Sequence, residues 1–327
     1  MAVSTGKPAR RRGRSTGAFW LFVGPFLIGL AIFVYLPIGW SVVLSFFEAR
    51  NTVTPTKFVG LSNYLDMLRD PAFLSSLGTF SVFAIFIVPL TFALSLGLAL
   101  LVNQLRFART FFRSVFFLPT ACSYVVAALI WRTSIFSGVR YGLANSVLLW
   151  LQAHFGWLYS HLGLPPSGVI AWTATVHPPL YWVVLVTLRL WLQIGFYMIL
   201  FLAGLQRIPR HLYEAAWIDG AKPGWQTFWH VTFPQLRASS VAVVLLLLIN
   251  AYQAFDEFVN ILTTSTPDGN VYPPYARPPL VYLYYTSLGS GGQDLGHGSA
   301  GAIILALLIA IVTVLQSKFL RLGRTEV

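Results

Sequence analysis

Residues 207–238 read RIPRHLYEAAWIDGAKPGWQTFWHVTFPQLRA. This polar, basic stretch carries Arg207, Arg210, Glu214, Asp219, Lys222 and Arg237, and it lies between two apolar runs, 181–206 and 239–262. The flanking runs contain no charge except Arg189, Asp256 and Glu257. A run of about 20 apolar residues crosses the ~30 Å of hydrocarbon as a helix. In lipid every backbone N–H and C=O must be satisfied internally, so only helices or closed barrels span. No run shows the ten-residue alternation of a barrel. The fold class is therefore all-α, a polytopic integral membrane protein with a patterned loop between two spans.

Working outward, the whole chain agrees. Of 327 residues 56% are hydrophobic and 10% charged, with a mean hydropathy of +0.69, against about 25% charged in soluble domains. The net charge of +12 does not indicate nucleic acid, because the basic residues gather at the ends of apolar runs rather than on one face. Six segments have spanning length: 18–40, 73–102, 113–135, 181–206, 239–262 and 299–320. Pro25, Pro37, Pro89 and Pro119 lie in or near them, which membrane helices tolerate. The run Ala18–Phe47 holds no charge over 30 residues, too long for a signal core, and reads as a first span.

Lysine and arginine orient the spans. With the N-terminus inside, fifteen fall on cytoplasmic pieces (among them Lys7 to Arg14, Arg106, Arg109, Arg113, Lys318 and Arg321) and six on outer pieces. The positive-inside bias then places both termini and residues 207–238 in the cytoplasm. Residues 1–17 are a basic tail, 18–320 the membrane bundle and 321–327 a second tail. The stretch 141–206 is apolar enough for an additional span, but Pro165-Pro166 and Pro178-Pro179 indicate a broken outer segment with His154, His161 and His177 at an aqueous edge. Connections 48–72 and 263–298 read as outer loops. Cys122 stands alone, so it reads as a small buried hydrophobe.

Within the loop, Pro209 suits a first helical turn and Gly220 the position just past a helix end. Ile208, Leu212, Ala215, Ala216 and Asp219 share one face of that helix. The small pair Ala215-Ala216 admits close approach of another surface, and Glu214 is a charge for an arginine on a partner. A turn at Lys222-Pro223-Gly224 leads to a second helix ending before Pro234. An interfacial hairpin with Trp225 and Trp229 at the headgroups fits the same residues.

The run Glu214-Ala215-Ala216-x-x-x-Gly220 followed by Val231-Thr232-Phe233-Pro234 resembles the EAA loop of ABC importer permeases. The longer form IPRHLYEAAWIDGA…FWHVTFP resembles the sugar-importer branch, the maltose and glycerol-3-phosphate type. FVGLSNYLDML (58–68), RTFFRSVFFLP (109–119), GFYMILFLAGLQRIP (195–209) and FDEFVNILT (255–263) extend the likeness over most of the chain from about residue 18. The chain departs from the family pattern in three ways. The spacing from Gly220 to the hydrophobic pair is one residue longer, Val231 and Phe233 replace isoleucine and leucine, and 263–280 replaces a glycine-rich turn. The resemblance implies a subunit in the cell membrane that imports a sugar or sugar derivative and is not itself an enzyme. Its implied partners are two copies of a cytoplasmic ABC ATPase, a second permease (a different chain by family habit), an extracytoplasmic solute-binding protein, and the membrane lipid around the spans. It also implies ATPase coupling through Glu214, Ala215, Ala216, Asp219, Gly220 and Pro234.

In the fifth apolar run Asn250, Gln253, Glu257 and Asn260 step by three, four and three along one helix face. Buried polar groups need partners or a wet path, and with Tyr252 and Phe255 interleaved this stripe suits a sugar. Asn250, Gln253 and Glu257 are candidate path residues, with Gln193 and Tyr197 in the fourth run. Arg189 reads as an interfacial anchor. No P-loop, H-E-x-x-H or metal-ligand spacing occurs, so no cofactor is expected. An ion-coupled carrier or a membrane enzyme is the alternative; the first would show repeated halves, and none is visible.

Overall fold

The long apolar runs become helical because a backbone in hydrocarbon must satisfy its polar groups internally, and a single run does so as a helix. The computed structural model describes residues 14–105, 107–161, 163, 167–266, 269–273, 276–289 and 292–321. The basic tail through Gly13, Arg106, Pro165-Pro166, Pro267, Pro274 and the C-terminal residues from 322 lie outside the described residues. Contacts divide the chain into two compact units, residues 1–69 with 284–304 and residues 70–283 with 305–327.

In the first unit α1 (Arg14–Leu30) passes through a π turn (Ala31–Tyr35) into α2 (Leu36–Leu44), and α3 (Ser62–Arg69) follows. The loop between them is held from within: Asn63 Nδ2 donates to the carbonyls of Ser45 and Phe47, both at 2.9 Å, and Ser45 Oγ meets Tyr64 Oη at 2.6 Å. Arg50 Nε donates to Asp294 at 2.9 Å. Large side chains on α1 and α2 stand out from the chain, with Phe22 at 82% exposure. So broad an apolar surface belongs against lipid or other membrane helices.

The second unit is built on α4 (Pro71–Gln104) packed along α9 (Tyr181–Leu205). Asp70 caps α4 by accepting from the Ala72 N–H at 2.8 Å. Its core includes Phe73, Phe80, Leu185, Leu188, Tyr197, Met198, Phe201 and Phe258, each at most 1% exposed. The third apolar run is bent: α5 (Arg109–Phe117) and a 3₁₀ turn (Leu118–Ala121) meet α6 (Tyr124–Ile130) with its π turn (Trp131–Ile135) at 93°. Pro119 lies in the 3₁₀ turn, where a missing N–H breaks the ladder. The bend exposes Cys122, which corrects its reading as a buried hydrophobe.

Among the described residues of the segment 141–180 no helix has spanning length. Its helices α7 (Leu143–His154) and α8 (Gly156–His161) are too short to span. Asn145 ties it together, donating to the carbonyls of Ser137, Val139 and Ile170 at 3.1 Å and accepting from Ile170 N and Trp172 Nε1. After α9 come α10 (Arg210–Ile218), α11 (Trp225–Thr227), a π turn (Phe228–Thr232) and α12 (Phe233–Gln235). The fifth run is α13 (Arg237–Tyr252) and α14 (Asp256–Leu262). A short antiparallel hairpin of β1 (Thr264–Thr266) and β2 (Gly269–Val271) lies within the loop that follows. The chain closes with α15 (Pro279–Leu288) and α16 (Leu295–Arg321).

Among the described residues four helices are long and apolar enough to cross a membrane: Phe19–Leu44, Pro71–Gln104, Tyr181–Leu205 and Leu295–Gln316. Counting each of two bent pairs as one span brings the number to six, in keeping with the all-α, six-span expectation.

Candidate functional site

The loop between the fourth and fifth runs is a helical hairpin. Pro209 takes the N-cap position of α10 with extended backbone (ψ 139°), one residue before the first-turn position expected for it. Past the other end Gly220 sits at φ +87°, a conformation that glycine alone adopts without strain. There the Gly220 N–H reaches the Trp217 carbonyl at 3.1 Å, and the Ala221 N–H reaches the Ala216 carbonyl at 2.9 Å. Those two bonds are a Schellman closure, and they satisfy carbonyls that a helix end otherwise leaves bare.

The turn falls at Lys222-Pro223-Gly224 as the spacing suggests, with Gly224 at φ +98°. Gln226 Oε1 accepts from Lys222 N at 2.7 Å, and Thr227 Oγ1 donates to the Lys222 carbonyl at 3.0 Å. The second helix does not stop before Pro234. It runs through the π turn to Gln235, with Pro234 in the first turn of α12. A widened turn just upstream accommodates the missing proline N–H.

The two arms are joined by Tyr213 Oη and Thr232 Oγ1 at 3.2 Å. Leu212, Tyr213 and Ala216 turn inward and are half-buried, while Glu214, Ala215 and Asp219 are exposed. The Ala215-Ala216 pair is therefore divided between the two faces. Ala215 is the more open of the two. Ile218 is 86% exposed and Trp225 74%. Between the hairpin and α4 lies an open groove of ≈ 1230 Å³, lined by Leu96, Leu100, Tyr213, Glu214, Trp225 and Phe228 among others.

The polar stripe of the fifth run is not continuous. The helix breaks between α13 and α14, with Phe255 at φ −145°, ψ −63°. Asn250 and Gln253 stay exposed on one side of the break, while Glu257 is 3% exposed on the other. Glu257 therefore does not face an open path in this conformation. Its carboxylate is paired with Arg189, which is equally buried, and Arg189 also donates to the Asn250 carbonyl. The reading of Arg189 as an interfacial anchor is thereby corrected. Gln193 and Tyr197 are buried on the same face of α9. Gln193 Nε2 donates to Tyr124 Oη at 2.9 Å, and Asn250 Nδ2 donates to Tyr197 Oη at 3.2 Å. Sequence reasoning missed Arg189 and Tyr124. The signal for Arg189 was its place in α9, since Arg189, Gln193 and Tyr197 recur every four residues on one face.

Comparison with known proteins decides the family. The chain is 30% identical over 298 residues to the probable starch degradation products transport system permease protein AmyD of Thermoanaerobacterium thermosulfurigenes, covering 91% of this chain and 92% of that one. It is 32% identical over 300 residues to the arabinooligosaccharides transport system permease protein AraP of Bacillus subtilis (strain 168), covering 91% and 87%. The chain belongs to the ABC sugar-importer permease family. The fold of this permease matches that of a bacterial ABC transporter involved in the import of the acidic polysaccharide alginate, with a TM-score of 0.72 at 18% identity over 94% of this chain and 96% of that one. No family model matches the sequence. The permease is thus a multi-pass cell-membrane subunit of a transport system, and not an enzyme.

Proposed function

We propose that this permease carries a sugar or sugar derivative inward and takes its power stroke through the 207–238 hairpin. One observation carries the reading: a short helix closed at Gly220 is anchored by its inner face and leaves Ala215 and Asp219 exposed, with Glu214 exposed beside the groove. Such a helix is a rigid lever tip, suited to a cleft in another protein. The partners are two copies of an ABC ATPase, a second permease and an extracytoplasmic solute-binding protein; AraP and AmyD are named as parts of comparable systems. The bias of lysine and arginine toward one set of connections puts the hairpin in the cytoplasm. Closure of the ATPases on ATP then moves the hairpin, and α9 and α13 move with it because they flank it in the chain.

Asn250 and Gln253 are the path residues of this reading, being exposed amides beside a helix break, where transporters of other kinds also bind substrate. Gln193 and Tyr197 support them from behind: Tyr197 holds the Asn250 amide, and Gln193 holds Tyr124.

The test is uptake of labelled oligosaccharides by cells that express the whole transport system. Asn250→Ala is expected to raise KM by roughly 3- to 10-fold, the worth of one or two hydrogen bonds, with the maximum rate nearly unchanged. Wild-type uptake that persists without the ATPase and follows an ion gradient would contradict the reading in favour of a secondary carrier.

A further inference from the structure

The fifth run breaks at 253–255 although its sequence there, Gln253-Ala254-Phe255, holds neither proline nor glycine. Two buried charges meet at the break. At the end of α13 the Asn250 carbonyl has no helical partner, and the Arg189 guanidinium supplies one. On the far side Glu257 lies in the first turn of α14 and pairs with the same guanidinium. Each charge thus meets the helix end whose dipole favours it, the cation at a C-terminus and the carboxylate at an N-terminus. Both residues are 3% exposed, and the guanidinium lies 5.9 Å from the centre of the Phe83 ring, which itself packs against Phe258 and Trp182. In so apolar a setting neither charge can be left without the other.

We propose that Arg189 and Glu257 are positioning residues for transport: their pair pins the break in the fifth span and sets the rate at which its two halves reorient, without touching the sugar. This rests on the permease reading above and reassigns Glu257 from the path to the frame. Stability alone is a poor reason to keep such a pair, because apolar replacements of a buried ion pair are often neutral or better. A fixed angle between two half-helices is a use that apolar side chains would not serve. Beside the pair, the same face of α9 holds Gln193 against Tyr124 of α6 and Tyr197 against Asn250 of α13, so three runs meet at this point.

The test is a double-mutant cycle of wild type, Arg189→Gln, Glu257→Gln and the double variant, read in two ways in the assembled complex. The first readout is the labelling rate of Ala254→Cys by N-ethylmaleimide, in a Cys122→Ser background. Ala254 is 3% exposed within the break, so its labelling reports how often the break opens. Each single change should speed labelling about tenfold or more, and the double should gain less than the product of the two, because the second change removes the charge that the first left bare. The second readout is uptake, where each single variant should lose maximum rate about tenfold with KM held within about twofold. Labelling gains that multiply, or that do not appear, would overturn the proposal. So would a raised KM at unchanged maximum rate, which marks a sugar contact. Coupled labelling in a wild type that transports no sugar would leave the clamp standing and count against the substrate reading instead.

Discussion

Gly220→Val is expected to impair uptake strongly while the protein still inserts in the membrane at close to wild-type amounts. Gly220 sits at φ +87°, where a β-branched residue is a conformational outlier. A Cβ added there would meet nothing within 4 Å, so the cost is in the backbone, on the order of 1–3 kcal/mol. The hairpin escapes that strain by giving up the Gly220 and Ala221 bonds to Trp217 and Ala216, which frays α10 and tilts its exposed face. The membrane helices are untouched, since Gly220 is exposed. Uptake assays beside quantitative immunoblots of washed membranes check both halves. Uptake near wild type would mean that the shape of the hairpin is not what transmits the stroke.

Gly195→Ala is expected to have an equally large effect by the opposite route, on assembly. A Cβ at Gly195 would stand 1.7 Å from the Phe116 carbonyl oxygen and 2.5 Å from its carbon. Those are backbone atoms of α5, at the bent third run, and they have no rotamer into which to retreat. Contacts this short force α5 and α9 apart, at a cost at or above the ~3 kcal/mol upper end usual for overpacking. The gap would also strain the bond from Thr120 Oγ1 to the Leu192 carbonyl, 3.0 Å in the native packing. Little complex should survive detergent extraction, and what survives should unfold at lower temperature in a thermal-shift measurement. An unchanged melting profile would show that the close approach at Gly195 does not hold the two runs together.

These two glycines differ in how much the sequence discloses about them. The role of Gly220 was legible because its chemistry is local. Proline at one end, glycine at the other and Lys222-Pro223-Gly224 beyond them dictate a helix and a turn whatever surrounds them. Gly195 lies in an unbroken apolar run, and only the arrival of Phe116 from 79 residues earlier in the chain gives it meaning. The polar stripe failed as a continuous face for the same reason. Counting by threes and fours assumes that the helix continues, and no residue between Asn250 and Asn260 signals that it stops. The break depends on Arg189, 68 positions from Glu257. Arg189 lies near the end of its run, where a long basic side chain can also reach the interface, so its sequence position alone did not distinguish an anchor from a buried partner. The bend at Cys122 was half visible, since Pro119 marks a weak point in the ladder without stating the angle.

The central claim is that the exposed face of α10 docks on an ATPase. Glu214 is exposed on that face, and Glu214→Arg reverses its charge without disturbing the inner contacts of Leu212, Tyr213 and Ala216. The most direct measurement is affinity purification of the permease from its own membranes in mild detergent, wild type beside Glu214→Arg, with mass spectrometry of what accompanies each. The account predicts an ABC ATPase and a second permease with the wild type. With Glu214→Arg the second permease is retained and the ATPase is depleted about tenfold or more, as expected when one side of a charge pair at an interface is reversed. ATPase recovered equally with both proteins, or with neither, would contradict it.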